Sequence, residues 1–350
     1  MSVVVVSGVA GAVGRRLLAL LDADADVTRV VGIDRRRPVD GSAKLDAHVA
    51  DLATAPLEPL VAGADVVIHL AHDLDAAGGD DHEGVGSANA EAAGRLLAAA
   101  GGAGVRQAVV VSSAAVYGAW PSNPVPLTEA AAVRPNPGFG YAAQKAEIER
   151  RCGEWRAAHD GAAVAVLRPA PTVDDGGLRG MARWRWAALR LRAGDDPPAQ
   201  FLHLDDLAAA VDVARRSRLD GAYNVAPDGW VDGEQVRALA GAPPRVPVPA
   251  PLARRLAAWS WRLRVGAAPP GVLPYTLHPW VVANDRLRAA GWAPGASNEE
   301  AFVGAHAGTP WSRLSPRRRQ ELALGVAATA LVAGAAAAVL AVRALRRRRR

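Results

Sequence analysis

With 350 residues, half of them hydrophobic, the chain can bury a large core without metals, and its single cysteine, Cys152, excludes an intramolecular disulfide. The formal charge of +6 points to nucleic acid only until the charges are located: nine arginines and one glutamate fall between 317 and 350, which leaves residues 1–316 at −2. The body has no long basic, aromatic stripe to track a phosphate backbone, and its short N-terminal apolar run lacks a basic leader, so a cytoplasmic body without a nucleic-acid partner is expected.

Val3–Val6 are β-branched throughout and too few for a helix, which predicts a buried strand of a parallel sheet. The run breaks into Gly8, Gly11 and Gly14 and then an amphipathic helix. Strand, glycine turn and helix N-terminus make an anion site, because unpaired N–H groups and the helix dipole converge there and glycine lets a pyrophosphate come close. The next strand, Val27–Asp34, ends in an acid 20 residues beyond Gly14, placed for the adenosine ribose hydroxyls, so NAD is the expected cofactor. Arg35, Arg36 and Arg37 follow and offer partners to the 2′-phosphate of NADP, which Asp34 repels; NAD is therefore expected ahead of NADP.

A third short strand around His48–Leu52 carries Asp51 at its end, facing the adenine amino group. Asp65–Ala71 predicts a fourth buried strand, in which His69 is read as structural. Leu52, Leu70 and Ala71 are expected to line the cofactor beside Asp51 and Arg35. Asn89 opens an alanine- and leucine-rich helix, and Val105–Ser113 supplies a fifth strand ending in Ser113. Strands alternating with helices predict an α/β, Rossmann-type doubly wound parallel sheet with ligands at the carboxyl ends of the strands.

Twenty-eight residues after Ser113, a helix begins that contains Tyr141 and Lys145. Four apart, they share one helix face, so an ammonium stays near a phenol. A nearby cation lowers a phenol pKa that starts near 10, which fits Tyr141 for acid–base work close to neutrality, while the Ser113 hydroxyl orients the substrate oxygen. The bland alternative is a solvated lysine beside a half-buried tyrosine.

Taken in order, these motifs resemble an extended short-chain dehydrogenase/reductase of the NAD-dependent epimerase/dehydratase family, in particular proteins similar to UDP-glucose 4-epimerase. The resemblance covers about residues 3–305 and extends to Leu167–Pro169, Phe201–Ala208, Gly221–Val225 and Ala290–Pro294. It implies Ser113, Tyr141 and Lys145 as the catalytic trio, Asn89 as a fourth member shaping the water network of the lysine, and a cofactor held by Gly8, Gly11, Gly14, Asp34 and Asp51. It also implies a homodimer. A catalytic domain over 1–312 is expected, with the NAD-binding core mainly in 1–168 and a smaller substrate region mainly in 169–200 and 227–300.

Departures narrow the reaction. Family members that eliminate water carry an acidic pair after the serine, where this chain has Ala114 and Ala115, so a dehydratase is not expected. The arginine that pairs with a nucleotide-sugar pyrophosphate is replaced by Ala199, and the usual asparagine is missing near Pro171–Val173; Arg179, Arg183 and Arg185 are the nearby substitutes. A nucleotide-sugar epimerase is the first reading, a dehydrogenase of a hydroxysteroid or other lipophilic secondary alcohol the second, and a non-catalytic NAD-binding scaffold the third. The stretches Leu178–Arg192 and Leu256–Arg264, rich in tryptophan and arginine, are read as a lid on an anionic or lipidic substrate, as surface helices packing their tryptophans on the body, or as helices lying against a membrane.

Residues 313–350 form a basic tail. Its segment 322–342 has no charge and, at about 1.5 Å per residue, is long enough as a helix to cross a hydrocarbon core of roughly 30 Å. Arginines flank it on both sides. A C-terminal hydrophobic helix, and association of 317–350 with the inner face of a membrane, are expected.

Overall fold

A computed structural model describes residues 1–38, 42–73, 88–189, 196–241, 250–263, 268–306 and 318. The candidate span 322–342 lies outside the described residues. Seven strands, β1 (Ser2–Ser7), β2 (Val27–Asp34), β3 (Leu45–Val49), β4 (Val66–His69), β5 (Gln107–Val111), β6 (Ala163–Pro169) and β10 (Gly221–Val225), form one parallel sheet in the order β10-β6-β5-β4-β1-β2-β3. The chain winds outward from β1 in one direction and from β4 in the other, so the order reverses between β1 and β4. A crevice opens at such a switch point, at the carboxyl ends of the strands.

The valine run shows why the sheet needs helices on both faces. Val4 and Val6 enter a core with Leu17 and Leu21 of the Ala12–Ala23 helix and Leu207 and Val211 of the Leu204–Arg216 helix. Val5 points the other way, into a core with Leu96 of the Ala88–Gly102 helix and Ile148 and Trp155 of the Gly140–Ala158 helix. Each fully buried side chain of this kind contributes about 1.5–3 kcal/mol relative to exposure, and a strand apolar on both faces gains on both.

A smaller C-terminal part follows β6. Strands β7 (Thr172–Asp174), β8 (Gly177–Leu178) and β9 (Leu202–His203) make a second sheet in the order β8-β7-β9, and Val173, Phe201, Val231 and Phe302 share a separate core. Asp206 anchors this part: its carboxylate accepts the Gly295 and Ala296 N–H groups, and its carbonyl accepts the Trp292 indole N–H. Third-strand pairing ends at Val49 instead of running to Leu52, so Asp51 sits in the turn beyond β3. Among the described residues no helix is long and apolar enough to cross a membrane.

Candidate active site

The glycine turn is built by close backbone packing. Gly8 has φ +80°, and a Cβ there would lie 2.7 Å from the Ala71 nitrogen. A Cβ on Gly14 would lie 2.3 Å from the Gly8 carbonyl oxygen. Gly11 caps the Ala12–Ala23 helix with no side-chain acceptor, so the first helical N–H groups remain directed at the crevice. Asp34, at the end of β2, accepts the Ala10 N–H at 3.0 Å through one oxygen and the Arg36 N–H at 3.0 Å through the other, which ties the turn to the second strand.

Above this turn lies a cleft of about 450 Å³. Gly8, Gly11, Asp34 and Arg35 line one side, Asp51 and Leu52 the far end, and Leu70 and Ala71 the side formed by β4; Gly14 lies beneath as packing. The Asp51 carboxylate accepts the Ala53 N–H at 2.8 Å. Arg35 donates to the Asp73 carboxylate at 2.7 Å, and that bond, with Asp51 and Asp34 nearby, raises its pKa. A guanidinium committed to Asp73 favours a cofactor without a 2′-phosphate.

The candidate catalytic side chains converge beside the cleft. Ser113 follows β5 and caps a 3-10 turn, Ala114–Tyr117, accepting the Ala115 N–H at 3.2 Å. Its hydroxyl stands beside the Tyr141 phenol. One helical turn on, buried Lys145 donates to the Val111 carbonyl at 2.8 Å, and burial lowers its pKa to about 8. The expectation that this ammonium brings the Tyr141 pKa down is corrected here. Burial raises it and the neighbouring Ser113 hydroxyl only partly offsets that, while the Lys145 ammonium is directed to a backbone carbonyl.

Asn89 ties the segment after β4 to the helix that carries Lys145. Its amide oxygen accepts the Asp73 N–H at 2.8 Å, while its amide nitrogen donates to the Asp73 carbonyl and to Gln144, each at 3.0 Å. It clamps the segment after β4 and reaches the neighbour of Lys145. Beneath the site, Glu149 accepts the Arg168 Nε–H on both oxygens, at 3.1 and 3.2 Å, the Arg168 Nη2–H at 2.6 Å, and the Ser112 hydroxyl at 2.5 Å; Arg168 also donates to Tyr117. His69 exchanges a hydrogen bond with Ser7 at 2.8 Å, is held neutral by burial, which lowers its pKa to about 3, and is structural as expected. Burial pushes the Cys152 thiol up to about 12, consistent with a spectator.

Three aromatic residues stand at the site: His72 and Phe139 carried no sequence signal, whereas Trp184 belongs to the Leu178–Arg192 stretch. Phe139 and Trp184 stand 5.7 Å from the Tyr141 ring and His72 5.2 Å, all measured between centroids. Trp184 belongs to the Gly180–Leu189 helix and is buried, whereas Trp186 packs away from the site on Phe302 and His306. The tryptophans of this helix thus divide between the two readings. Of the substitute arginines, Arg179 pairs with Asp174 at 2.8 Å, Arg185 is buried and donates to the Tyr275 and Pro197 carbonyls, and Arg183 is exposed. Ala199 is buried in a backbone bridge to Val231.

A family model, described as the NAD dependent epimerase/dehydratase family, matches residues 4–226. The chain belongs to that family. It is an enzyme whose cofactor is NAD. It is 29% identical over 311 residues to a 3-diazoavenalumate denitrifying reductase of a Streptomyces species, a match covering 83% of this chain and 95% of that one. It is 26% identical over 257 residues to an uncharacterized protein of Mycobacterium tuberculosis strain H37Rv, covering 71% and 68%. Among solved structures, a short-chain dehydrogenase/reductase superfamily protein from Agrobacterium tumefaciens with bound NAD superposes with a TM-score of 0.66 at 22% identity, over 92% of this chain and 99% of that one. MoeE5 in complex with UDP-glucuronic acid and NAD superposes with a TM-score of 0.63 at 21% identity, over 89% and 98%. A UDP-N-acetylglucosamine 4-epimerase from Methanobrevibacter ruminantium gives 0.64 at 20% identity, over 89% and 97%. At these identities the structural likeness is one of fold.

The residues of this epimerase/dehydratase-family enzyme fit a bound dinucleotide. Gly14 occupies space where a side chain would destroy the turn, the first helix begins without a side-chain cap, and an acid ends β2.

Proposed function

We propose that this enzyme catalyses reversible hydride transfer at a secondary alcohol carbon, with Tyr141 as the acid and base. The observation that carries the reading is that the Ser113 hydroxyl stands beside the Tyr141 phenol, one helical turn from buried Lys145, at the carboxyl ends of β5 and β4. NAD, when bound, supplies the hydride acceptor. Ser113 orients the reacting oxygen, and the Tyr141 hydroxyl gives a proton to it or takes one from it. Lys145, cationic below about pH 8, favours the phenolate only when its ammonium turns from the Val111 carbonyl toward the phenol as the proton leaves. The two positions directly after Ser113 hold buried Ala114 and Ala115, so the additional acid and base needed for elimination are missing there.

Gly8, Gly11 and Gly14 are assigned to the pyrophosphate, Asp34 to the adenosine ribose, and Arg35, Asp51, Leu52, Leu70 and Ala71 to the walls around the adenosine half. The cofactor core is assigned mainly to 1–168 and the substrate region mainly to 169–200 and 227–300. Two substrate classes share this chemistry. Nucleotide-sugar epimerisation is supported by the fold likeness to proteins solved with UDP-sugars. A specific observation favours the other: the phenol is walled by Phe139 and Trp184, while Arg179 and Arg185 are held by Asp174 and by carbonyls. A diphosphate needs charge-assisted donors, so this wall suits a lipophilic or ring-bearing alcohol better. Replacement of Tyr141 by Phe is the test. Turnover falls by about 10²–10⁴ while NAD stays bound; a variant with full turnover would refute the assignment, and so would biological activity that survives the loss of turnover, the mark of a scaffold.

The same proposal places the protein against an anionic membrane surface. The Ala250–Arg262 helix, continued by Leu263, exposes Leu252, Leu256, Trp259 and Leu263 along one stripe, with Arg255 and Arg262 exposed beside it. Apolar side chains with a tryptophan and flanking arginines have the composition of an interfacial helix, and the nine arginines between 317 and 350 add attraction to anionic lipid.

A further inference from the structure

Glu149 is a carboxylate beneath the site that the proposed chemistry does not use. With Tyr141 and Lys145 it forms a stripe, four residues apart, along one face of the Gly140–Ala158 helix. This stripe meets the end of β5 residue by residue. The Lys145 ammonium donates to the Val111 carbonyl at 2.8 Å, the Ser112 hydroxyl donates to Glu149 at 2.5 Å, and the Ser113 hydroxyl stands beside the Tyr141 phenol. Three consecutive residues of the strand end are thus engaged by three turns of one helix face. The carboxylate is also held sideways by Arg168 of β6, and the two side chains are only 9% and 8% exposed. From there Arg168 donates to Tyr117 at 2.7 Å, and the Tyr117 hydroxyl donates to Asn224 of β10 at 2.8 Å.

The helix begins at Phe139 without a side-chain cap, and the apolar packing of Ile148 and Cys152 has no direction, so the height of Tyr141 over the strand end depends on polar contacts. A buried ion pair gains little stability over an apolar pair of similar volume, and its best-attested service is to fix register. We propose that Glu149 is a positioning residue: bridging Ser112 and Arg168, it fixes the height of the tyrosine helix over the end of β5, so that Ser113 and Tyr141 face one substrate oxygen with the Lys145 ammonium beside them. The assignment rests on Ser113 and Tyr141 acting together as proposed above. Charge works in the same direction. The titratable groups around Lys145 are Tyr141, Glu149 and Cys152 on its own helix and His69 and His72 at the end of β4. Burial keeps the phenol, the thiol and both imidazoles uncharged, and Glu149 limits the fall of the ammonium pKa to about 8.

The test needs no substrate. Lys44 and Lys145 are the two lysines of the chain, so NMR of full-length protein carrying isotope-labelled lysine follows Lys145 directly, and Lys145→Arg assigns its signal by removing it. In the wild type the two ε-methylene protons of Lys145 are inequivalent, as in a side chain held in place, and the ammonium titrates near pH 8. Glu149→Asp keeps the charge but is one methylene too short to reach both Ser112 and Arg168: the inequivalence is lost while the titration stays near its wild-type midpoint. Ser112→Ala removes one end of the bridge and no charge, and gives the same result. Glu149→Gln keeps the bond to Ser112 and loses the charge: the protons stay inequivalent and the midpoint falls by about one pH unit, tenfold in proton affinity. Calorimetry with NAD shows that each variant is folded, and if Glu149→Gln is not, the other two variants decide. Inequivalent protons in both Glu149→Asp and Ser112→Ala overturn the proposal. A wild-type midpoint in folded Glu149→Gln overturns the part played by its charge. Full turnover in Tyr141→Phe would refute the reading of the site instead, and these spectra are distinguished from it because no turnover enters into them.

Discussion

A methyl group on Gly14 would meet the Gly8 carbonyl at 2.3 Å and the Val9 carbonyl at 2.6 Å, both backbone atoms that cannot turn aside. Gly14→Ala therefore displaces the turn that carries the diphosphate. The expected result is a loss of NAD affinity of at least tenfold, with destabilisation of about 1–3 kcal/mol, read by calorimetry and thermal unfolding; wild-type affinity in the variant would contradict the assignment of the turn. Lys145 supplies a second prediction. Burial lowers its pKa from 10.5 to about 8, so the ammonium is present below that pH and lost above it. If it assists Tyr141, kcat/KM holds up to about pH 8 and declines above it, and Lys145→Arg removes that alkaline limb at a reduced rate; a limb unchanged in Lys145→Arg would assign it to another group. The sequence made Ser113, Tyr141, Lys145 and the glycines legible because strand ends and helical spacing fix their places. His72 and Phe139 were not legible, since nothing in the sequence turns their rings toward Tyr141, and for Trp184 the sequence left a lid and a packed surface helix both open.

Elements differed in how plainly the sequence announced them. Val27–Asp34 reads directly as a strand because an apolar run ends in a polar, turn-forming cluster, and it is observed with those bounds. The third strand is offset because its partly exposed residues, Leu45–Val49, lack an apolar run to mark them. The Ala250–Arg262 helix was ambiguous by sequence because a stripe of leucine and tryptophan reads equally as core or as interface. In the structure Leu252, Leu256, Trp259 and Leu263 lie on the outside, with Trp259 63% exposed. Full-length protein should therefore sediment with vesicles containing about one anionic lipid in three, and the Leu256→Glu, Trp259→Glu double variant should weaken binding at least tenfold. Equal binding of wild type and variant would leave membrane attachment to the tail alone.

At the scale of the whole molecule, one doubly wound sheet brings distant stretches of chain to a single edge. The glycine turn comes from the first 14 residues, the serine from the end of β5, and the tyrosine helix lies behind them. The C-terminal part meets this edge through Trp184 and Tyr275, whose ring lies 5.2 Å from Phe139 and whose hydroxyl donates to the Ala115 carbonyl. A substrate entering there meets an aromatic wall on one side and the acid–base pair on the other. The most direct measurement is reduction of NAD, followed at 340 nm, when wild type and Tyr141→Phe are supplied in parallel with lipophilic secondary alcohols and with UDP-sugars. NADH accumulating with an alcohol in the wild type, and at least about a hundredfold more slowly in Tyr141→Phe with NAD still bound, is the result expected. NADH formation that proceeds equally in both proteins would contradict the account.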